Sequence, residues 1–458
     1  MSTQLESRPS GSLKRIVAAS VIGTIAEYYD FFIYGTAASL VFNKVFFPSV
    51  SPMLGTLAAF STYAVGFFAR PLGGVVWGHV GDRLGRRQTL VYTLLLTGLG
   101  TFAVGLMPTY GQIGFFSPAI LVLVRLVQGF GVGGEQGGAV LLTAEAAPQG
   151  KRGFYASLVQ LGSPAAYLIP SALFALLNAQ MSSAAFVSWG WRIPFLLSAI
   201  VVLVGLYVRL RVPESETFRA VLSTEGRRRA PLKLLMREHR REVVAGLLTK
   251  FVEAGVFPFY TVFLVSYAKS QGVNSGMVLN AVIIAIVAEL IMIPVFGRLT
   301  DKFGRRPVFV ATTVVNLVLV VPSFLAVRSG DMLVITLLLI AGLGLGHAGT
   351  YAPQASYFPE LFSSGTRYSG VSIVWQFGSM IASGPFTVVA AALLVADNGG
   401  YGYDAIYVAL LVLISLVALR WMPETAPARL GGTEYADWPQ PTGPTGPTEH
   451  TAAGGERA

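Results

Sequence analysis

The 458-residue sequence contains no cysteine, which excludes disulfides and thiolate-bound metals. Its four histidines stand at no metal-site spacing. Charge is sparse as well. Only 12% of residues are Asp, Glu, Lys or Arg, about half the share of a soluble domain. So few charges cannot cover a water-facing surface, whereas a lipid-facing surface needs none. The sequence also lacks a nucleophile triad, a phosphate loop and a metal cluster, so it offers no chemistry of an enzyme. A cleavable signal peptide is not expected, because the first apolar run is too long and carries charge at its centre.

What is present is apolar. Hydrophobic residues make up 53% of the chain, and its 51 glycines suit close helix packing in a bilayer. Apolar runs of spanning length recur twelve times, at 16–41, 55–77, 89–107, 118–144, 153–177, 190–209, 244–267, 277–297, 308–327, 332–357, 368–394 and 403–421. The net charge of +10 is not spread evenly. Of the 33 Lys and Arg, 26 fall on the face that an even span count gives to both termini, four on the other face and three within spans. This asymmetry predicts that the termini are cytoplasmic and removes any reason to expect nucleic-acid binding.

An internal repeat organises the chain. Gly78, Asp82, Gly85, Arg86 and Arg87 after the second span recur as Gly297, Asp301, Gly304, Arg305 and Arg306 after the eighth. Glu145 and Arg152 are echoed by Glu360 and Arg367, and Pro213-Glu214 by Pro423-Glu424. Parallel six-span repeats predict two similar bundles facing one another across a central cavity. The expected organisation is an N-terminal segment 1–13, a six-helix bundle 14–210, a basic linker 211–242 containing Arg227, Arg228 and Arg229, a second bundle 243–422, and a disordered Pro/Gly/Thr-rich tail 423–458.

The repeated G-x-x-x-D-R-x-G-R-R loop resembles the signature of the major facilitator superfamily, and Arg125-Leu-Val-Gln128-Gly129 resembles its fourth-helix motif. Glu27-Tyr-Tyr-Asp30-Phe-Phe-Ile-Tyr34-Gly35, Arg70-Pro71-Leu-Gly-Gly and Gly133-Gly134-Glu135-Gln-Gly137-Gly138 look like the metabolite:proton symporter family. Phe46 to Phe60 and Ser188-Trp-Gly-Trp-Arg-Ile-Pro194 are similar to its shikimate-type members. The likeness runs to about residue 425. It implies an all-α membrane protein with twelve transmembrane helices in two pseudo-symmetric six-helix bundles. It also implies a multi-pass protein of the inner membrane that uses the proton gradient and needs no cofactor. A cavity formed within one chain requires no oligomer, so a monomer is expected, and the abundance of Ala, Gly and Arg over Lys suggests a bacterial source.

Gly23, Glu27, Asp30 and Tyr34 share one face of the first span. A charge near the bilayer centre costs at least about 2.5 kcal/mol, and burial penalises the ionised form, so both acids are candidates for proton exchange. Asn or Gln in their place is expected to uncouple transport from the proton gradient. The competing role is a permanent pair with a buried base. Arg125, Gln128 and Glu135 line one face of the fourth span. An arginine there suits two-point carboxylate binding, provided it faces a cavity. The resemblance implies that Arg125 takes part in proton coupling. Glu135 serves equally as a bonded group in a glycine packing seam.

Lys250 and Glu253 stand three apart in the seventh span and can pair with each other. Lys250 is a candidate anion ligand, although a lysine two turns from the face can instead snorkel out. Glu289 and His347 are also intramembrane, and His347 can titrate near neutral pH. Tyr34, Trp375 and Gln376 complete the substrate-binding candidates. In the loop motif, Asp82 with Arg83, Arg86 and Arg87, mirrored by Asp301, Arg305 and Arg306, is expected to act as a gate whose charge pairs form when the cytoplasmic side closes.

Arg70, Arg125 and Lys250 favour an anionic substrate. The expected function is proton-coupled import of a small organic acid such as a shikimate-like hydroxy acid, a keto acid or a dicarboxylate. The alternatives are import of a zwitterionic osmolyte such as proline or betaine, and a non-transporting sensor on the same fold.

Overall fold

A hydrocarbon environment offers backbone groups no water, so each span must satisfy its own hydrogen bonds as a helix. The computed structural model describes residues 10–84, 86–133, 138–148, 150–211, 231–363 and 366–427, and contains no strand among them. The first half comprises α1 (Leu13–Val45), α2 (Pro52–Leu84), α3 (Arg86–Leu106), α4 (Phe116–Val132), α5 (Arg152–Gln180) and α6 (Arg192–Arg211). The second comprises α7 (Arg240–Ser270), α8 (Ser275–Phe303), α9 (Arg305–Ser329), α10 (Met332–Glu360), α11 (Arg367–Ala396) and α12 (Gly402–Ala418). Each overlaps one apolar run read from the sequence.

Eight of these helices are long and apolar enough to cross a membrane unaided. A ninth span, α6, meets that standard together with Ser183–Gly190, which joins it at a 43° bend. α3, α4 and α12 are shorter apolar helices, and a further helix, Gly138–Ala146, lies between α4 and α5 in sequence. The expected linker also contains a helix, Pro231–Glu238.

The halves repeat locally. α1 and α7 each carry a π-helical turn, at Ala38–Phe42 and Phe259–Phe263. The second follows Pro258, which has no N–H to donate to the regular ladder. No proline accounts for the first. Within the first half, α2 and α4 touch backbone to backbone. A Cβ at Gly129 would strike the Gly66 carbonyl, and one at Gly73 would strike the Phe130 carbonyl. Small residues permit this approach, and it fixes the relative heights of Arg70 on α2 and Arg125 on α4.

Between the halves, α2 packs on α11, and α5 on α8. The seam is closed at both ends. On the face of the basic loops, the Gln160 amide donates to the Tyr351 carbonyl at 3.2 Å. Toward the opposite face, Tyr167 donates to the Thr261 carbonyl at 2.8 Å and Lys269 to the Leu40 carbonyl at 3.3 Å.

Candidate transport site

Among the described residues of the first half, Asp30 and Arg125 form a buried ionic cluster. The Arg125 Nη1 lies 3.2 Å from Asp30 Oδ2 and donates to Gln128 Oε1 at 3.1 Å. The Thr101 hydroxyl and the Gln128 amide both donate to Asp30 Oδ1. Arg125 is 0% exposed and Asp30 4%. The guanidinium lies 4.3 Å from the Tyr34 ring centroid and 5.2 Å from that of Phe31. Three helices therefore converge on one carboxylate, and aromatic faces cover the cation. Such a pair withstands its desolvation only because the carboxylate oxygens have further donors. Arg125 is thus seated inside its own bundle, engaged with Asp30, and does not face an open cavity. Tyr34 is equally committed, with its hydroxyl on Thr62.

The second half holds a larger cluster. Lys250 pairs with Glu253 one turn further along α7, as their spacing allows. Its Nζ also donates to Gln354 Oε1 at 3.1 Å and lies 4.6 Å from the Trp375 ring. Lys250 is only 1% exposed, so it does not snorkel. His347 Nδ1 meets Glu289 Oε1 at 2.7 Å, while its Nε2 lies 3.9 Å from Glu253 Oε1. One imidazole therefore stands between two carboxyls, and α7, α8 and α10 share four ionisable groups.

Other candidates divide. Trp375 lies in this cluster. Gln376 is next to it in sequence, and its buried Oε1 has no hydrogen-bond partner among the described residues. Glu27 is half-buried on α1, within electrostatic range of Arg70. Glu135 and Gly85 lie outside the described residues. Gly78, Asp82 and Arg83 fall in α2, and Arg86 and Arg87 open α3; the side chains of this loop motif also lie outside the description.

The second copy of the motif is fully drawn. Asp301 accepts from the backbone N–H groups of Gly153 and Phe154, at 2.8 and 2.9 Å. A carboxylate from the second half thus sits on the helix N-terminus of α5 in the first, where the unpaired N–H groups and the helix dipole favour an anion. Arg305 joins Asp301 at 2.8 Å and grips Glu360 through Nε at 3.2 Å and Nη2 at 3.0 Å. Glu360 also faces Arg152 of the first half at 3.7 Å, and Arg367 faces Glu145 at 3.7 Å. Arg306 enters through its backbone N–H, which donates to Glu424 at 3.2 Å. Pro423, Glu424 and Thr425 are thus bonded to the second half, against the expectation of a disordered tail from 423 onward, and the rest of that tail, 428–458, lies outside the described residues. Gly304 has φ +100°, a conformation that strains residues with a Cβ.

The sequence pattern does not single out Thr101, Gln354 or the Glu289–His347 contact as parts of a site, and it marks Arg70 only as an intramembrane charge. A helical stripe carried some of the signal, because His347, Tyr351 and Gln354 follow at spacings of four and three on α10. Nothing local points to Thr101.

Two apolar six-helix halves, with polar clusters inside and charge pairs bridging one end of their seam, define a membrane transporter. The sequence matches the Major Facilitator Superfamily over residues 20–383 and again over 276–451, and the chain belongs to that family. It is 37% identical to the inner membrane metabolite transport protein YhjE of Escherichia coli, over 92% of this chain and 96% of that one. It is 36% identical to the shikimate transporter of Escherichia coli, over 93% and 99%. It is 33% identical to the glycine betaine/proline/ectoine/pipecolic acid transporter OusA of Dickeya dadantii, over 93% and 86%. In fold it is similar to the xylose transporter XylE of E. coli in a partially occluded inward-open conformation. That match has a TM-score of 0.70 at 20% identity and covers 91% of this chain and 99% of that one.

Proposed function

We propose that this transporter is a proton-coupled symporter that imports a small organic acid by alternating access, as a monomer in a bacterial inner membrane with both termini in the cytoplasm. The observation that carries the reading is the burial of Lys250, Glu253, His347 and Glu289 in mutual contact between α7, α8 and α10. So many ionisable groups in one low-dielectric site cost more than helix packing needs, and exchangeable protons are what they can supply. Asp30, Glu27 and Arg125 are assigned to coupling in the first half, together with Glu135, ten residues after Arg125. Lys250, Glu253, His347 and Trp375 are assigned to the substrate side. The similarity to a shikimate transporter supports an organic acid.

The gate reading rests on Asp301, Arg305 and Glu360, whose bonds to α5 and Arg152 must break for the halves to part at that face. The repeat supports bundles at 14–210 and 243–422 joined by the basic linker, and the excess of basic loops on one face supports the orientation.

The test is uptake by purified protein in liposomes after a pH jump. Shikimate, 2-oxoglutarate and citrate are offered singly. Accumulation above the outside concentration with an acidic exterior, lost on adding a protonophore, is the expected result. Equilibration without accumulation would remove the coupling claim. The second reading, a zwitterion symporter, is supported by the likeness to OusA. It predicts that proline or betaine is concentrated and the acids are not.

A further inference from the structure

Arg70 on α2 is 3% exposed. Its guanidinium carbon lies 3.8 Å from the Phe31 ring centroid and 4.4 Å from that of Phe67. Its Nε has no hydrogen-bond partner, and among the described residues it forms no ion pair. Arg125, within electrostatic range, is ion-paired to Asp30, whereas Arg70 rests on aromatic faces, with the half-buried Glu27 within electrostatic range but not in an ion pair with it. A buried guanidinium stacked on rings but with no carboxylate hydrogen-bonded to it retains its planar donors for one.

Its surroundings place it at the seam. Phe67, one turn before it, packs against Gly384 of α11 in the other half. Tyr28 of α1 reaches Trp375 of α11 and lies within electrostatic range of Arg70, Glu27 and Glu253. Arg70 in turn lies within such range of Lys250. Two buried cations, one from each half, thus stand within electrostatic range of one another. Lys250 has a resident partner in Glu253, but that carboxylate has somewhere else to go. The Nε2 of His347 is buried without a hydrogen-bond partner and already lies 3.9 Å from Glu253 Oε1.

We propose that Arg70 and Lys250 form a carboxylate clamp across the seam, in which the substrate's carboxylate bridges the two halves and displaces Glu253 from Lys250. The bridging anion is held by one cation from each half, so its arrival favours the closed seam, while Glu253 passes to His347. Arg70 supplies the planar two-point contact, Lys250 the point charge, and Phe31 and Trp375 the apolar walls. The clamp rests on the organic-acid reading above and names the residues that would recognise the acid.

Binding of shikimate and of 2-oxoglutarate to the purified full chain tests it, with methyl shikimate as the probe that lacks a carboxylate. Arg70→Gln and Lys250→Gln are each expected to weaken both acids at least tenfold, Arg70→Lys less than Arg70→Gln, and the ester to bind at least tenfold more weakly than its acid. Glu253→Gln removes the resident competitor and is expected to tighten both acids at least threefold, a gain that a damaged fold cannot produce. Unchanged affinity in Arg70→Gln and Lys250→Gln, or no gain in Glu253→Gln, overturns the clamp while wild-type accumulation of the acids leaves the transport reading standing. A wild-type protein that neither binds nor accumulates either acid overturns the organic-acid reading itself.

Discussion

The two halves bury their charges differently. In the first, an arginine that stays protonated is locked to Asp30, with Thr101 and Gln128 completing the carboxylate's bonds. In the second, a lysine and a histidine, both able to lose their protons, share two glutamates and leave His347 Nε2 and Glu289 Oε2 without hydrogen-bond partners. Both clusters leave buried atoms unpaired, Arg125 Nε and Nη2 in the first and carboxylate and imidazole atoms in the second. The difference is chemical, because an arginine cannot give up its proton whereas a histidine, a lysine and carboxyls can exchange theirs. Pseudo-symmetry thus sets where polar groups sit in each half, while residue type decides which cluster can change state.

The largest expected effect breaks the first cluster. Arg125→Ala strands Asp30 in the interior, and breaking a buried pair in this way costs about 3–5 kcal/mol. A clear fall in thermal midpoint is expected. His347→Ala should cost less, about 1–3 kcal/mol, because a histidine, unlike an arginine, can hold its carboxyl as a neutral hydrogen-bonded pair, so its loss need not leave a charge unpaired. Equal losses from the two variants would erase the contrast between a fixed and an adjustable cluster.

A middle-sized effect belongs to the seam. Asp301→Asn keeps the shape but weakens charge-assisted bonds to Gly153, Phe154 and Arg305, worth about 1.5–3 kcal/mol each. The equilibrium should move toward opening at that face. Because the chain has no native cysteine, Ser157→Cys, buried against Gly297, reports this cleanly. Maleimide should label it faster when Asp301→Asn is added, and an unchanged rate would remove the gate from Asp301.

The smallest effect sharpens the first cluster. Thr101→Val removes one donor from Asp30 and should cost about 1 kcal/mol, read as a modest drop in thermal midpoint. The pH profile of uptake should keep its shape. A changed profile would mean that Asp30, rather than the second half, sets the proton dependence.

Much of this was readable before any coordinates. Twelve runs of lipid-compatible length, the loop motif at a constant offset and the sparse charge specify the fold, because a bilayer tolerates few alternatives to spanning helices. Pairs within one helix were equally legible: Lys250 and Glu253 stand three apart and do meet. The reading of Arg125 as a cavity-facing ligand needed revision, because Asp30 occupies it. A helical wheel shows which face a residue takes but not what stands opposite.

By itself, the sequence determined the number of spans, their grouping into repeated halves and the stripes on which charge is buried, since these follow from length, period and hydropathy along one helix. Only the tertiary structure decided which charge meets which. Partners such as Asp30 with Arg125, Glu289 with His347, and Asp301 with the start of α5 lie 58 to 148 residues apart. What brings them together is the close fit of helix against helix, and no local propensity records that fit.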